Sequence, residues 1–97
     1  MRSGFLEKEP LHTEALIGLA NAYQLKKEYT NAIAIYEKII ARDSGYAKAY
    51  YNLGSIYAYY LKEYKNMEKY WGKYIELFPR EKDREFIRKE MAKIRAN

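Results

Sequence analysis

The sequence predicts an all-α fold built from successive helical hairpins, and three observations carry that prediction. Apolar residues recur at helical spacing, as in Tyr50, Leu53, Gly54 and Tyr57 at i, i+3, i+4 and i+7. The same constellation stands 34 positions earlier as Leu16, Leu19, Ala20 and Tyr23. Breaks between the periodic stretches keep nearly the same interval, with Pro10 34 residues before Ser44 and Ser44 35 before Pro79.

Met1-Arg2-Ser3-Gly4 reads as a vector-derived start, and Phe5 to Pro10 as the last turn of a helix that begins upstream. Proline stops a helix because it lacks an N–H, so residues 1–12 are expected to be the end of a preceding repeat. Thr13 to about Lys27 comes next as a first helix, with Leu16, Leu19, Ala20 and Tyr23 turned inward. A short turn at Lys27-Glu28 leads to a second helix, about Tyr29 to Arg42. Its apolar positions Tyr29, Ala32, Ile33, Tyr36, Ile39 and Ile40 again have helical spacing. Asp43-Ser44-Gly45 is a break followed by an N-cap signal. Residues 13–46 therefore form one repeat.

Residues 47–81 form the next, with one change. Tyr29 to Tyr64, Ala32 to Met67, Tyr36 to Trp71 and Ile39 to Tyr74 are each 35 apart, whereas the first helices keep a spacing of 34. One residue is therefore inserted between Tyr57 and Tyr64. Gly54 against Met67, beside Ala20 against Ala32, reads as a volume trade at one helix crossing. Tyr74 has no compensating small residue, so the segment after it must pack on a large side chain. Gly72, inside the second helix, marks either a close contact or an exposed position that bears a cost of about 1 kcal/mol. Arg80 to Asn97 reads as a further amphipathic helix with Ile87, Met91 and Ile94 at i, i+4 and i+7 and Phe86 beside them. Residues 82–97 are expected to cap the end of the second repeat, with a degenerate third repeat as the alternative.

These residues resemble the tetratricopeptide repeat, whose W-x2-L-G-x2-Y…A-x3-F…P pattern appears as Tyr50-x2-Leu53-Gly54-x2-Tyr57 and Pro79, with Ala32-x3-Tyr36 as its Ala-x3-Phe element. Met67 and Tyr74 depart from it, standing where alanine is usual. The resemblance implies a right-handed superhelical stack of antiparallel helix pairs, an α-solenoid of about five helices, acting as a binding scaffold. It also implies that the first helices line a groove for an extended peptide. Carried over by position, the candidates are Glu14, Ile17, Gly18, Asn21, Gln24 and Leu25, then Lys48, Tyr51, Asn52, Ser55, Ala58 and Tyr59. The peptide-binding set is Ile17, Asn21, Gln24, Lys48, Tyr51, Asn52, Ser55 and Tyr59. Asn21 and Asn52 can both donate to and accept from a peptide backbone. Tyr51 and Tyr59 offer rigid amphipathic area of a type enriched at contact surfaces. The carboxylate clamp of some family members is incomplete, because Ile17 stands where its first lysine belongs.

The inventory argues against catalysis and leaves cofactors and metals unassigned. The chain has one histidine, His12, expected in a turn, and two aspartates, Asp43 and Asp83. Its glutamates lie mostly three or four residues from lysines, as surface ion pairs do. No phosphate loop, nucleophile elbow or metal-ligand cluster is present. Cysteine is absent, which rules out disulfides and thiolate metal sites. No apolar run reaches the roughly 20 residues of a membrane span, and no signal-peptide core appears. A cytoplasmic setting without membrane contact is the expectation.

Charge leaves two alternatives to peptide binding. Lys and Arg total 18 against 13 Asp and Glu, and the net +5 lies wholly in residues 47–97. Lys62, Lys65, Lys69 and Lys73 form a stripe along one helix. A solvated surface explains such a stripe, and phosphate contact would make binding fall steeply with salt. Nucleic acid is thus a secondary reading, and Trp71 beside the stripe occupies a core slot. The incomplete N-terminal end suggests a homo-oligomer or structural self-association module instead, since stacked repeats usually number about three.

Overall fold

The computed structural model describes residues 10–78 and 80–96. Those residues are helical, without strands, in two compact units, Met1–Ala49 and Tyr50–Asn97. The helices are α1 (Pro10–Leu25), α2 (Tyr29–Arg42), α3 (Ala47–Ser55), α4 (Tyr64–Leu77) and α5 (Glu81–Ala96), with a π-helical turn, Ile56–Leu61, continuing α3. The expected helix end at residues 5–9, and Pro79, lie outside the described residues.

In the first unit α1 packs on α2. Pro10 is the first residue of α1, a position where its missing N–H costs nothing, and His12 lies within the helix rather than in a turn. Ile17 and Ala20 are buried on one side of α1, and Ala32, Tyr36 and Ile39 on α2. Leu19, expected inward, is 43 % exposed. It sits one residue, about 100° of helix turn, away from Ala20 and so falls off the stripe that α2 covers. The α1–α2 turn is a Schellman closure: the Glu28 N–H donates to the Tyr23 carbonyl (2.9 Å) and that of Lys27 to Gln24 (2.9 Å). Lys27 takes the left-handed conformation this requires (φ 64°). After α2, the Gly45 N–H donates to Asp43 Oδ1 (3.2 Å), closing the expected break as an Asx turn.

The second unit repeats this turn with one residue more. Lys62 is again left-handed (φ 57°), and Asn66 Nδ2 donates to Glu63 Oε1 (2.9 Å) as Asn31 Nδ2 does to Glu28 Oε1 (3.1 Å). The Glu63 N–H reaches back to the Tyr57 carbonyl (2.9 Å), six residues instead of the five between Glu28 and Tyr23. The inserted residue therefore widens the end of the helix into a π turn, and the connection itself stays short.

The core of this unit centres on Trp71, which is fully buried with Ala58, Met67 and Ile87. The side chain nearest Gly54 is Trp71 rather than Met67, which corrects the pairing expected from sequence. A Cβ built on Gly54 would overlap indole Cδ1 and lie within 2.7 Å of Cγ. The close pair is glycine with tryptophan (Gly54, Trp71), at positions where the first unit holds the buried Ala20 and Tyr36. Around Gly72 a Cβ would meet nothing within 4 Å, so that glycine is a tolerated helix position rather than a close contact. Tyr74 finds its partners in rings: Tyr51 at 5.2 Å and Phe78 edge-on at 5.8 Å between centroids. Helix α5 covers this core through Ile87, with Met91 and Ile94 half-buried and Phe86 49 % exposed.

Candidate binding surface

The expected peptide-contact residues divide into those that hold the repeats together and those that remain at the surface. In the first unit Ile17 is 7 % exposed, which removes it from the contact set. It stands three residues before Ala20 and shares that residue's buried side. Asn21 and Gln24 are engaged internally, since the buried Tyr36 hydroxyl lies 3.1 Å from Asn21 Oδ1 and 2.7 Å from Gln24 Oε1. A buried phenol without a partner would cost about 1–3 kcal/mol, so these amides anchor Tyr36 first. Asn21 nonetheless stays exposed, as does Lys48 in the first turn of α3. Glu14 accepts from the Tyr46 hydroxyl (3.2 Å). Burial, then the charge and hydrogen bond of Glu14, then Asp43, hold the Tyr46 phenol above its ordinary pKa.

The second unit shows the same logic with different residues. The indole N–H of Trp71 donates to the Tyr51 carbonyl (3.1 Å), an approach to the helix backbone that Gly54 permits by lacking a side chain. Trp71 has no hydroxyl to satisfy, and the positions equivalent to Asn21 and Gln24 hold Ser55 and Ala58. Ser55 turns its hydroxyl back onto the Tyr51 carbonyl (3.1 Å). The Tyr51 ring stacks on Trp71 (6.2 Å, 21°) and is half-buried, so it packs the core as well as bordering the surface. Asn52 is likewise partly exposed.

Tyr59 is 43 % exposed and lies edge-on to Trp71 at 5.9 Å. Its hydroxyl donates to Glu90 of α5. Burial, the hydrogen bond to Glu90 and that carboxylate's charge, with Tyr51 adding to them, push its pKa far above the ordinary tyrosine value. The phenol therefore remains a protonated donor throughout the physiological range. Tyr74 is also raised, by burial and by Asp83 and Tyr51, against an opposing effect of Arg80.

Beside Tyr59 a hollow of about 170 Å³ is lined by Ala58, Tyr59, Lys62, Tyr64 and Ile94. Sequence reasoning places the insertion but not this hollow. The one signal for it is the 35-residue spacing, which does not say whether an extra residue lengthens a loop or widens a helix.

The lysine stripe is partly neutralised where it stands. Lys73 pairs with Glu76 (3.3 Å), and Lys69 lies 5.1 Å from the Tyr70 ring centre. Elsewhere in the unit Arg80 pairs with Asp83, Lys93 with Glu90 and Arg95 with Glu68. Among the described residues no cluster of three or more His, Cys, Asp or Glu could hold a metal ion. No helix among them is long and apolar enough to cross a membrane.

The family model described as tetratricopeptide repeat matches residues 13–46 and 47–81. No curated protein matches the chain.

Proposed function

Because this chain belongs to the tetratricopeptide repeat family, we infer that it is a non-catalytic scaffold that binds an extended peptide or partner segment on the outward side of its first helices. Repeats of this family mediate protein–protein interaction. The observation that carries the finer reading is the side-chain chemistry left at the surface there. The second unit presents the Asn52 amide and the Tyr59 ring, while the first presents Asn21 and Lys48. Amides pair with a peptide backbone in both directions, and a tyrosine supplies contact area at little entropic cost.

The local pairing of Lys69, Lys73, Arg80, Lys93 and Arg95 weighs against nucleic acid, since a phosphate would have to displace partners already in place. Leu19 and Leu25 are exposed, but scattered surface leucines are ordinary and do not by themselves argue for self-association.

The test is a random decapeptide display library selected against the chain, followed by affinity measurement on Asn52→Ala. Truncating one amide that bonds a peptide backbone costs about 1 kcal/mol, so the selected peptide should bind about fivefold more weakly while the far-ultraviolet circular dichroism is unchanged. Unchanged affinity rejects Asn52 as a contact. Failure to select any peptide rejects the scaffold reading. Tyr51 is unsuitable for this test because its ring packs on Trp71 and Tyr74.

A further inference from the structure

We propose that the hollow beside the π turn is a socket for one apolar side chain of a partner peptide, with Lys62 at its rim receiving an acidic neighbour of that residue. The proposal rests on the reading of the chain as a peptide-binding module and adds a site the repeat pattern does not supply. Its origin is the extra residue between Tyr57 and Glu63. In the first unit, without it, the helix ends in a compact Schellman turn at Lys27. In the second, the widened turn carries Ala58, Tyr59 and Lys62 past the start of α4 at Tyr64 and beside Ile94 of α5. π-helical insertions occur frequently at functional sites.

Size decides the class of occupant. The hollow measures about 170 Å³. Pockets for whole small-molecule ligands begin at about 300 Å³. A volume below that range favours a single side chain as the occupant. The lining decides the chemistry. Ala58, Ile94 and the rings of Tyr59 and Tyr64 offer apolar and aromatic contact, and polar atoms share the lining with them. The position of Tyr59 is fixed from two sides, by Glu90 at its hydroxyl and by Trp71 against its ring.

Lys62 has no carboxylate partner among the described residues. Residues 50–97 carry eleven Lys and Arg against seven Asp and Glu, so the surrounding field favours an acidic segment. The occupant is therefore an aliphatic or aromatic residue flanked by Asp or Glu.

The experiment titrates the ¹⁵N-labelled chain with the end-blocked peptide EELEE and with EEAEE, following backbone amide shifts. The expected result is saturable shifts at residues 58–64 and 94 with EELEE, at least about tenfold weaker for EEAEE, which lacks the anchor. Lys62→Glu, at an exposed position, should weaken EELEE by about tenfold or more through loss of a charge-assisted contact. Tyr64→Ala, which removes an aromatic wall without touching the charge, should weaken EELEE and leave EEAEE unchanged. Equal affinity for the two peptides overturns the socket. Shifts confined to the Asn52 face overturn it while leaving peptide binding on that face standing, and no shift anywhere to millimolar peptide also overturns it. Shifts at residues 58–64 produced by poly(U) RNA but not by EELEE would overturn it in favour of a phosphate site.

Discussion

Replacing Gly54 by leucine unfolds the second unit. A methyl group at this position already overlaps the Trp71 indole, closer than real Cβ atoms approach any neighbour, and the indole is fully buried and has nowhere to move. Overpacking of this kind costs about 1–3 kcal/mol for small additions. The gain in helix propensity on leaving glycine recovers at most about 1 kcal/mol. Gly54→Ala should therefore fold with lowered stability. Leucine adds three further carbons to a site without space for one, in a small domain whose total stability is of the order of 5–15 kcal/mol.

Urea unfolding followed by circular dichroism checks both variants. Gly54→Ala combined with Trp71→Phe, a smaller ring with no hydroxyl to leave unpaired, should recover part of the stability that Gly54→Ala alone loses. A Gly54→Leu chain that unfolds like the parent would place the crossing elsewhere.

Trp71→Ala is the second large effect, with an expected loss of about 3–5 kcal/mol. The indole is the common neighbour of Tyr51 and Tyr59 and shares one buried cluster with Ala58, Met67 and Ile87. Its removal leaves a cavity between α4 and the α5 residue that closes the core. Trp71→Phe separates packing from hydrogen bonding. It keeps an aromatic body and loses the N–H, and the Tyr51 carbonyl still accepts from Ser55. That variant should lose about 1 kcal/mol from the bond, plus a smaller packing deficit. Equal losses in the two variants would show that the hydrogen bond, and not the ring, holds the unit together.

The fold is legible in the sequence because two signals agree. The period of 34 or 35 residues fixes which side chains share a slot, and helical spacing fixes which side of each helix they occupy. The tryptophan slot, the helix that brings Ile87 to the core and the site of the inserted residue all come from those two signals. Matters of local competition escape them. Spacing pairs Gly54 with Met67 because it gives the slots but not which facing side chain enters a gap; the flat indole is the group that lies nearest that backbone. The insertion becomes a π turn because the Tyr57 carbonyl can still be reached from Glu63, so no backbone acceptor is lost.

The binding surface is less legible than the fold, and Asn21, Gln24, Ile17 and Tyr51 show why. The same positions that face a groove by analogy also border the hairpin interior. In the first unit a buried tyrosine hydroxyl engages Asn21 and Gln24, of which Asn21 keeps its exposure, while in the second a tryptophan draws Tyr51 into a stack. Only knowledge of the residue opposite, tyrosine or tryptophan, separates anchoring from contact. Asn52 and Tyr59 retain surface, Tyr59 within the π turn and beside the hollow.

The second unit depends throughout on the indole of Trp71 lying against the backbone of α3 at Gly54. A nuclear Overhauser spectrum reads that contact directly. Strong cross-peaks from the indole protons at Cδ1 and Nε1 to the Gly54 α-protons, with those α-protons displaced by the ring current, are the predicted result. Indole cross-peaks to Met67 and Ile87 with none to Gly54 would contradict the packing on which the second repeat is built.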